Sequence, residues 1–282
     1  MKIGITGATG QLGRLVVQKL KERTSADNLT ALVRTPEKAA NMNISSKVFD
    51  YNKPETLAES LKGIDYLLLI SSNEVGQRKR QHESVIKAAQ QAGVKWIVYT
   101  SLLHADVSTL SLAAEHVATE QALAESGIPF TLLRNGWYTE NYTASVPNTV
   151  KAGVLLGSAG NGKISSAARI DYAEAAAIVL TTPDNEGKTY ELSGDESFTL
   201  TDLAAEISRQ TEKTIPYKDL SENEYAAILT GAGLPEPLAK ALANWDVSAS
   251  KGDLYDESHV LSKLIGHSTT PLSAVVKKAL NA

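Results

Sequence analysis

Six apolar runs of strand length, "KIGIT" (2–6), "LTALVR" (29–34), "KVF" (47–49), "DYLLLI" (65–70), "KWIVYT" (95–100) and "FTLLR" (130–134), alternate with helix-length segments at 11–22, 54–61, 77–92 and 111–126. Unbroken apolar strands require burial on both faces, and their alternation with helices is the pattern of βαβ units in a parallel sheet. "QQAGVKW" and "AESGIPF" each stop a helix at a glycine, Gly93 and Gly127, and restart a strand at once. The pattern predicts an α/β fold, a doubly wound parallel sheet.

After about residue 135 the alternation fails. "GVLLGSAGNGKISSAA" (153–168) is rich in glycine and serine, "DYAEAAAIVL" (171–180) reads as a helix, and "KTYELSG" (188–194) as one more strand. Helices then dominate: 199–210, 222–231 with a Ser221/Glu224 capping box, 235–244 opened by Pro235 and Pro237, and 271–280. The C-terminal part therefore reads as a smaller, helix-rich cap over the carboxyl edge of the sheet, where open α/β sheets bind ligands.

Within the first βαβ unit, "GITGATGQLGRLVVQKL" spaces Gly7, Gly10 and Gly13 three apart, directly after the first strand. Glycines there let the backbone turn tightly and approach a pyrophosphate, and the helix from about Gln11 aims its free N–H groups at the anion. The bland alternative is a purely structural turn. At the end of the second strand an acid would hold a ribose 2′-OH, whereas an arginine accommodates a 2′-phosphate. The sequence has Arg34 there, in "ALVRTPEK", with the nearest acid, Glu37, beyond Pro36. A guanidinium makes a planar, charge-assisted fork for phosphate oxygens, so the expected coenzyme is NADPH rather than NADH.

A net charge of −4 gives no basic footprint for nucleic acid or an anionic membrane, and the absence of cysteine excludes thiolate zinc sites and thiol catalysis. "IDYLLLI" (64–70) is far shorter than the roughly 20 residues needed to span a bilayer, and no leader is evident. The expectation is a cytoplasmic protein without a metal.

Carbonyl reduction on this fold ordinarily uses a Tyr-x-x-x-Lys pair on the helix after the fifth strand, and none of the ten tyrosines has a lysine four residues on. The helix offers Glu115, His116 and Glu120 instead, and Ser101 ends the fifth strand facing the expected cleft. His116 and Glu120 lie one turn apart on one face, as an acid–base pair or as an ordinary helix contact; no third ligand is spaced to make them a metal site. Without a built proton donor, a reductase suits a quinone better than a ketone. A hydroquinonate has a phenol-like pKa, roughly 10, and water can protonate it.

Taken together, "ITGATGQLG", "LVRTPEKA", "YTSLLHAD" and "LLRNGWYTENY" resemble the NmrA-like branch of the atypical short-chain dehydrogenases/reductases, its flavin-independent quinone-reducing members above all. The resemblance extends through "LLISSNEVGQR", "DYAEAAAIVL", "SASKGDL" and "LSKLIGH". It implies an NADPH-binding Rossmann domain over 1–150, to which 170–195 returns, and a smaller substrate domain over 151–282. It also implies two-electron reduction of a quinone, with a dinucleotide-sensing regulator as the alternative. By the same resemblance Gly7, Thr9, Gly10, Gln11 and Leu12 surround the pyrophosphate, with Arg34 at the 2′-phosphate. Ser71, Ser72 and Asn73 line the nicotinamide ribose, and Asn135, Gly136, Trp137 and Tyr138 approach the nicotinamide and substrate. Arg169 faces the cleft. His116 stands where lignan-reducing plant relatives carry a lysine. His116 and Tyr138 are therefore the expected catalytic residues, and Trp137 the expected aromatic wall, alternatively a plug between domains.

Overall fold

The computed structural model describes residues 1–281. Two compact units divide the chain, and both are discontinuous.

The first unit comprises Met1–Asp106, Leu112–Asn135 and Arg169–Leu192. Its strands are β1 (Ile3–Thr6), β2 (Leu29–Val33), β3 (Ser45–Val48), β4 (Tyr66–Leu69), β5 (Trp96–Leu102), β6 (Phe130–Asn135) and, after an excursion through the second unit that contains β7 (Leu155–Gly157), β8 (Thr189–Leu192). They form one parallel sheet in the order β3-β2-β1-β4-β5-β6-β8. Every residue of β1, β2 and β5 is buried, as unbroken apolar runs require, whereas the edge strand β3 is largely exposed. The order reverses between β1 and β4, which opens a crevice beyond their carboxyl ends.

Helices α1 (Gln11–Lys21), α2 (Pro54–Leu61), α3 (Arg78–Ala92) and α4 (Ala113–Glu125) cover the sheet. α1 buries Leu12, Val16, Val17 and Leu20, an apolar stripe at helical spacing. α2, α3 and α4 enclose a core that includes Phe49, Leu57, Leu61, Val85, Tyr99 and Leu123.

The second unit comprises Val107–Ser111, Gly136–Ala168 and the chain from Ser193 onward. β7 pairs in parallel with β9 (Tyr217–Asp219). Around that pair lie α5 (Thr139–Thr143) and α6 (Val146–Ala152). After α7 (Arg169–Thr181) of the first unit come α8 (Leu200–Thr211), α9 (Glu222–Gly231), α10 (Glu236–Ser250), α11 (Val260–Ile265) and α12 (Leu272–Leu280). Capping boxes open α8 at Thr199/Asp202 and α9 at Ser221/Glu224.

Three expectations need correction. The first unit gives way at Asn135 rather than at 150, because residues 139–152 form α5 and α6 of the second unit. The glycine-rich stretch contributes a strand, β7. The helix expected over 235–244 continues to Ser250. Among the described residues no helix is long and apolar enough to cross a membrane.

Candidate coenzyme-binding site

β1 ends at Thr6, and Gly7 turns the chain with a left-handed φ of 58°, a conformation glycine adopts at no steric cost. The Gly7 N–H bonds Leu32 O in β2 at 3.1 Å, and the Gly10 N–H bonds Gly7 O at 2.8 Å. Gly13 is required for a different reason. A Cβ there would stand 2.3 Å from Gly7 O and 2.7 Å from Ala8 Cα, so α1 packs flush against the turn only without one. Gly10 caps α1 with no side-chain bond, and no acid lies in the first turn. The helix therefore presents uncapped N–H groups and its positive end. Gly7, Gly10 and Gln11 are exposed and Thr9 half-buried; Leu12 turns its side chain into the core and offers only its backbone.

Arg34 follows β2 with its side chain 67% exposed and one guanidinium nitrogen 3.7 Å from Glu74 Oε1. Glu74 belongs to the loop after β4, which also carries Ser71, Ser72 and Asn73. That loop is tethered on all sides. The Ser71 N–H donates to Thr100 Oγ1 at 2.9 Å, and Arg78 Nε donates to Ser72 O at 2.6 Å. Glu115 of α4 accepts the backbone N–H groups of Gly76 and Arg78, each at 3.1 Å. The Ser72 N–H donates to His82 Nε2 at 3.0 Å.

This last bond fixes a tautomer. Since His82 Nε2 accepts, the ring proton sits on Nδ1, 2.9 Å from Thr119 Oγ1, whose own hydroxyl donates to Glu115 O. Burial, then the Arg78 charge, lowers the His82 pKa to about 3, so the imidazole stays neutral.

His116 is buried on α4, with Nδ1 2.8 Å from the Tyr99 hydroxyl. Burial, then Arg78 and His82, lowers its pKa to about 3. Of the two readings of His116 and Glu120, the acid–base pair does not form. Glu120 instead receives Arg134 in a two-pronged bond, Nε at 3.0 Å and Nη2 at 2.7 Å, together with the Ser101 hydroxyl at 2.6 Å. Arg134 Nη1 reaches Glu191 at 2.8 Å and Asp106 at 2.9 Å. Ser101, expected to face the cleft, is buried with its hydroxyl turned to Glu120.

Asn135 closes β6, 5% exposed, and its side-chain Oδ1 is buried without a hydrogen-bond partner. An orphaned acceptor at the carboxyl edge of the sheet suits an amide N–H from a ligand. Arg169 opens α7. The glycine turn, Arg34, the Ser71–Asn73 loop and Asn135 thus follow β1, β2, β4 and β6 along one edge of the first unit. In the second unit, Trp137 meets Trp245 edge-to-face at 5.5 Å, and Tyr138 precedes α5 beside Ala167. Sequence reasoning singled out neither His82 nor Trp245; a lone histidine inside a helix and a tryptophan far along the chain carry no spacing signal.

A family model described as NAD(P)H-binding matches residues 7–183. The chain is 54% identical over 282 residues to quinone oxidoreductase 2 of Escherichia coli, spanning 99% of each protein. The crystal structure of the Escherichia coli NADPH-dependent quinone oxidoreductase complexed with NADPH superposes with a TM-score of 0.97, covering 99% of this chain and 100% of that one. The Citrobacter sp. triphenylmethane reductase complexed with NADP(H) is 39% identical with a TM-score of 0.95, covering 99% and 100%. With its glycine turn and uncapped helix at the sheet edge, the chain belongs to the NAD(P)H-binding, NmrA-like family.

Proposed function

We propose that this protein is a cytoplasmic NADPH-dependent quinone oxidoreductase that delivers two electrons as a hydride, without flavin. The observation that carries this reading is the end-to-end 54% identity to a quinone oxidoreductase solved with NADPH. The residues present fit the coenzyme: a glycine turn against which α1 packs flush because Gly13 has no Cβ, an uncapped helix start, and the orphaned Asn135 Oδ1.

In this reading the backbone of Gly7, Thr9, Gly10, Gln11 and Leu12 holds the pyrophosphate at the start of α1. Arg34 holds the 2′-phosphate. Ser71, Ser72 and Asn73 border the nicotinamide ribose, Asn135 Oδ1 accepts the carboxamide N–H, and Arg169, at the start of α7, contacts the coenzyme. Bound coenzyme supplies a hydride from its nicotinamide ring. The chain supplies orientation, holding ring and acceptor at near-attack distance. Trp137 and Tyr138 contact the flat acceptor.

His116 acts as a neutral hydrogen-bonding group rather than as an imidazolium acid, since its pKa of about 3 keeps it uncharged at neutral pH. The hydroquinonate, with a phenol-like pKa of roughly 10, takes its proton from water.

The test mixes the protein with NADPH and 1,4-benzoquinone and follows the NADPH absorbance. Loss faster than the uncatalysed control supports the reading. No acceleration across several quinones overturns it in favour of a dinucleotide sensor. His116→Ala and Tyr138→Phe should lower turnover while leaving NADPH affinity unchanged.

A further inference from the structure

The group paired with Arg34 is itself held in place. Glu74 receives the side-chain amides of Asn52 (3.3 Å) and Gln81 (2.9 Å) on Oε2, and its own N–H donates to Ser72 Oγ at 3.1 Å. Asn52 is fixed in turn by Arg80, whose Nη2 donates to Asn52 Oδ1 at 2.6 Å. One carboxylate oxygen is thus anchored by two amides, and the other lies 3.7 Å from the Arg34 guanidinium. Glu37, the acid nearest Arg34 in sequence, is not the one the fold brings to it.

We propose that Glu74 is a specificity-determining residue: it competes with the coenzyme 2′-phosphate for Arg34 and so narrows the preference for NADPH over NADH. This rests on the assignment of Arg34 to the 2′-phosphate. The phosphate carries more charge than a carboxylate and offers oxygens matched to the guanidinium fork, so it wins the competition. It does so only by displacing an existing ion pair and by entering the field of a fixed anion. NADH carries an uncharged 2′-hydroxyl in place of the phosphate, which does not contest the guanidinium, and leaves the Arg34–Glu74 pair intact. Glu74 therefore weakens NADPH binding without touching NADH.

The expected effect is modest, because both side chains are exposed and such pairs are screened. Glu74→Gln keeps an oxygen for the Asn52 and Gln81 amides and removes the charge. Calorimetric titration at low salt should show NADPH binding about two- to fivefold tighter, with NADH unchanged. The gain should shrink as salt rises, and it should vanish when Glu74→Gln is made in an Arg34→Ala background.

Equal shifts for the two coenzymes, or an NADPH affinity that does not move, would overturn the inference while leaving the Arg34 assignment standing. A gain that survives in Arg34→Ala would also overturn it, since the guanidinium would then not be what is contested. An NADPH/NADH ratio unaffected by Arg34→Ala alone would remove the assignment and the inference together.

Discussion

The imidazole of His82 accepts the backbone N–H of Ser72 across 3.0 Å, so a helix side chain holds the first residues of the loop after β4 in place. The bond is buried on both sides, where an unmatched N–H costs about 1–3 kcal/mol. His82→Ala should lower the unfolding free energy by about 2–4 kcal/mol, cavity included, measured by urea denaturation. If the loop borders the nicotinamide ribose, NADPH affinity should fall roughly tenfold. His82→Gln retains an acceptor and should recover part of both losses.

The two buried imidazoles also set a pH dependence. Unfolded histidine titrates near 6.5, whereas His82 and His116 titrate near 3 in the fold. Their neutral forms match the folded state, so the stability tied to them is whole above pH 6.5. It drains as pH falls towards 3, by about 1.4 kcal/mol per pH unit for each ring. Asp246 in the second unit runs the other way. Burial raises its pKa from 3.8 to about 6, although its Oδ2 accepts the Ser158 N–H. Its contribution is lost as pH rises from about 4 to 6. Urea midpoints across pH 4–7 should steepen on the acid side through the histidines. Asp246→Asn should stabilise by about 1–3 kcal/mol at pH 7 and by little at pH 4.

Arg134 is one cation among three carboxylates, with its side chain 12% exposed. Glu120 supplies most of the stabilisation that raises the Arg134 pKa. Arg134→Ala would leave Glu120 and Glu191 as like charges with Glu120 nearly buried, at a cost of about 3–5 kcal/mol. Arg134→Lys cannot reproduce the two-pronged bond to Glu120 and should fall between the two. Chemical denaturation decides both.

Gly13→Ala drives a Cβ into the backbone of Gly7 and Ala8, atoms that cannot move aside as a flexible side chain would. α1 must withdraw from the turn. The expected result is a loss of about 1–3 kcal/mol in stability and an NADPH affinity at least tenfold weaker, read by titration.

The strands and helices of the first unit were legible because hydrophobic periodicity reports burial, and a doubly wound sheet buries its strands on both faces. The glycine turn was legible because backbone geometry there admits few residue types. Elements of three to seven residues, β7, α5 and α6, were not, since so few positions define no period and tertiary packing decides them. The polar site was legible only in outline. The spacing of His116 and Glu120 placed them on one helix, yet nothing in that spacing reveals that Arg134, on β6, claims Glu120. Likewise Glu74 reaches Arg34 only because β2 and β4 flank β1 on its two sides.

α1, which carries the glycine turn at its start, is backed by α7, with Lys19 paired to Glu174 at 2.8 Å and Arg23 donating to Thr181 at 2.6 Å. The chain must therefore be synthesised beyond residue 181 before the helix behind the phosphate cradle gains its neighbour. A ribosome-bound fragment halted at 135 would carry every glycine of the cradle and still lack the brace behind it.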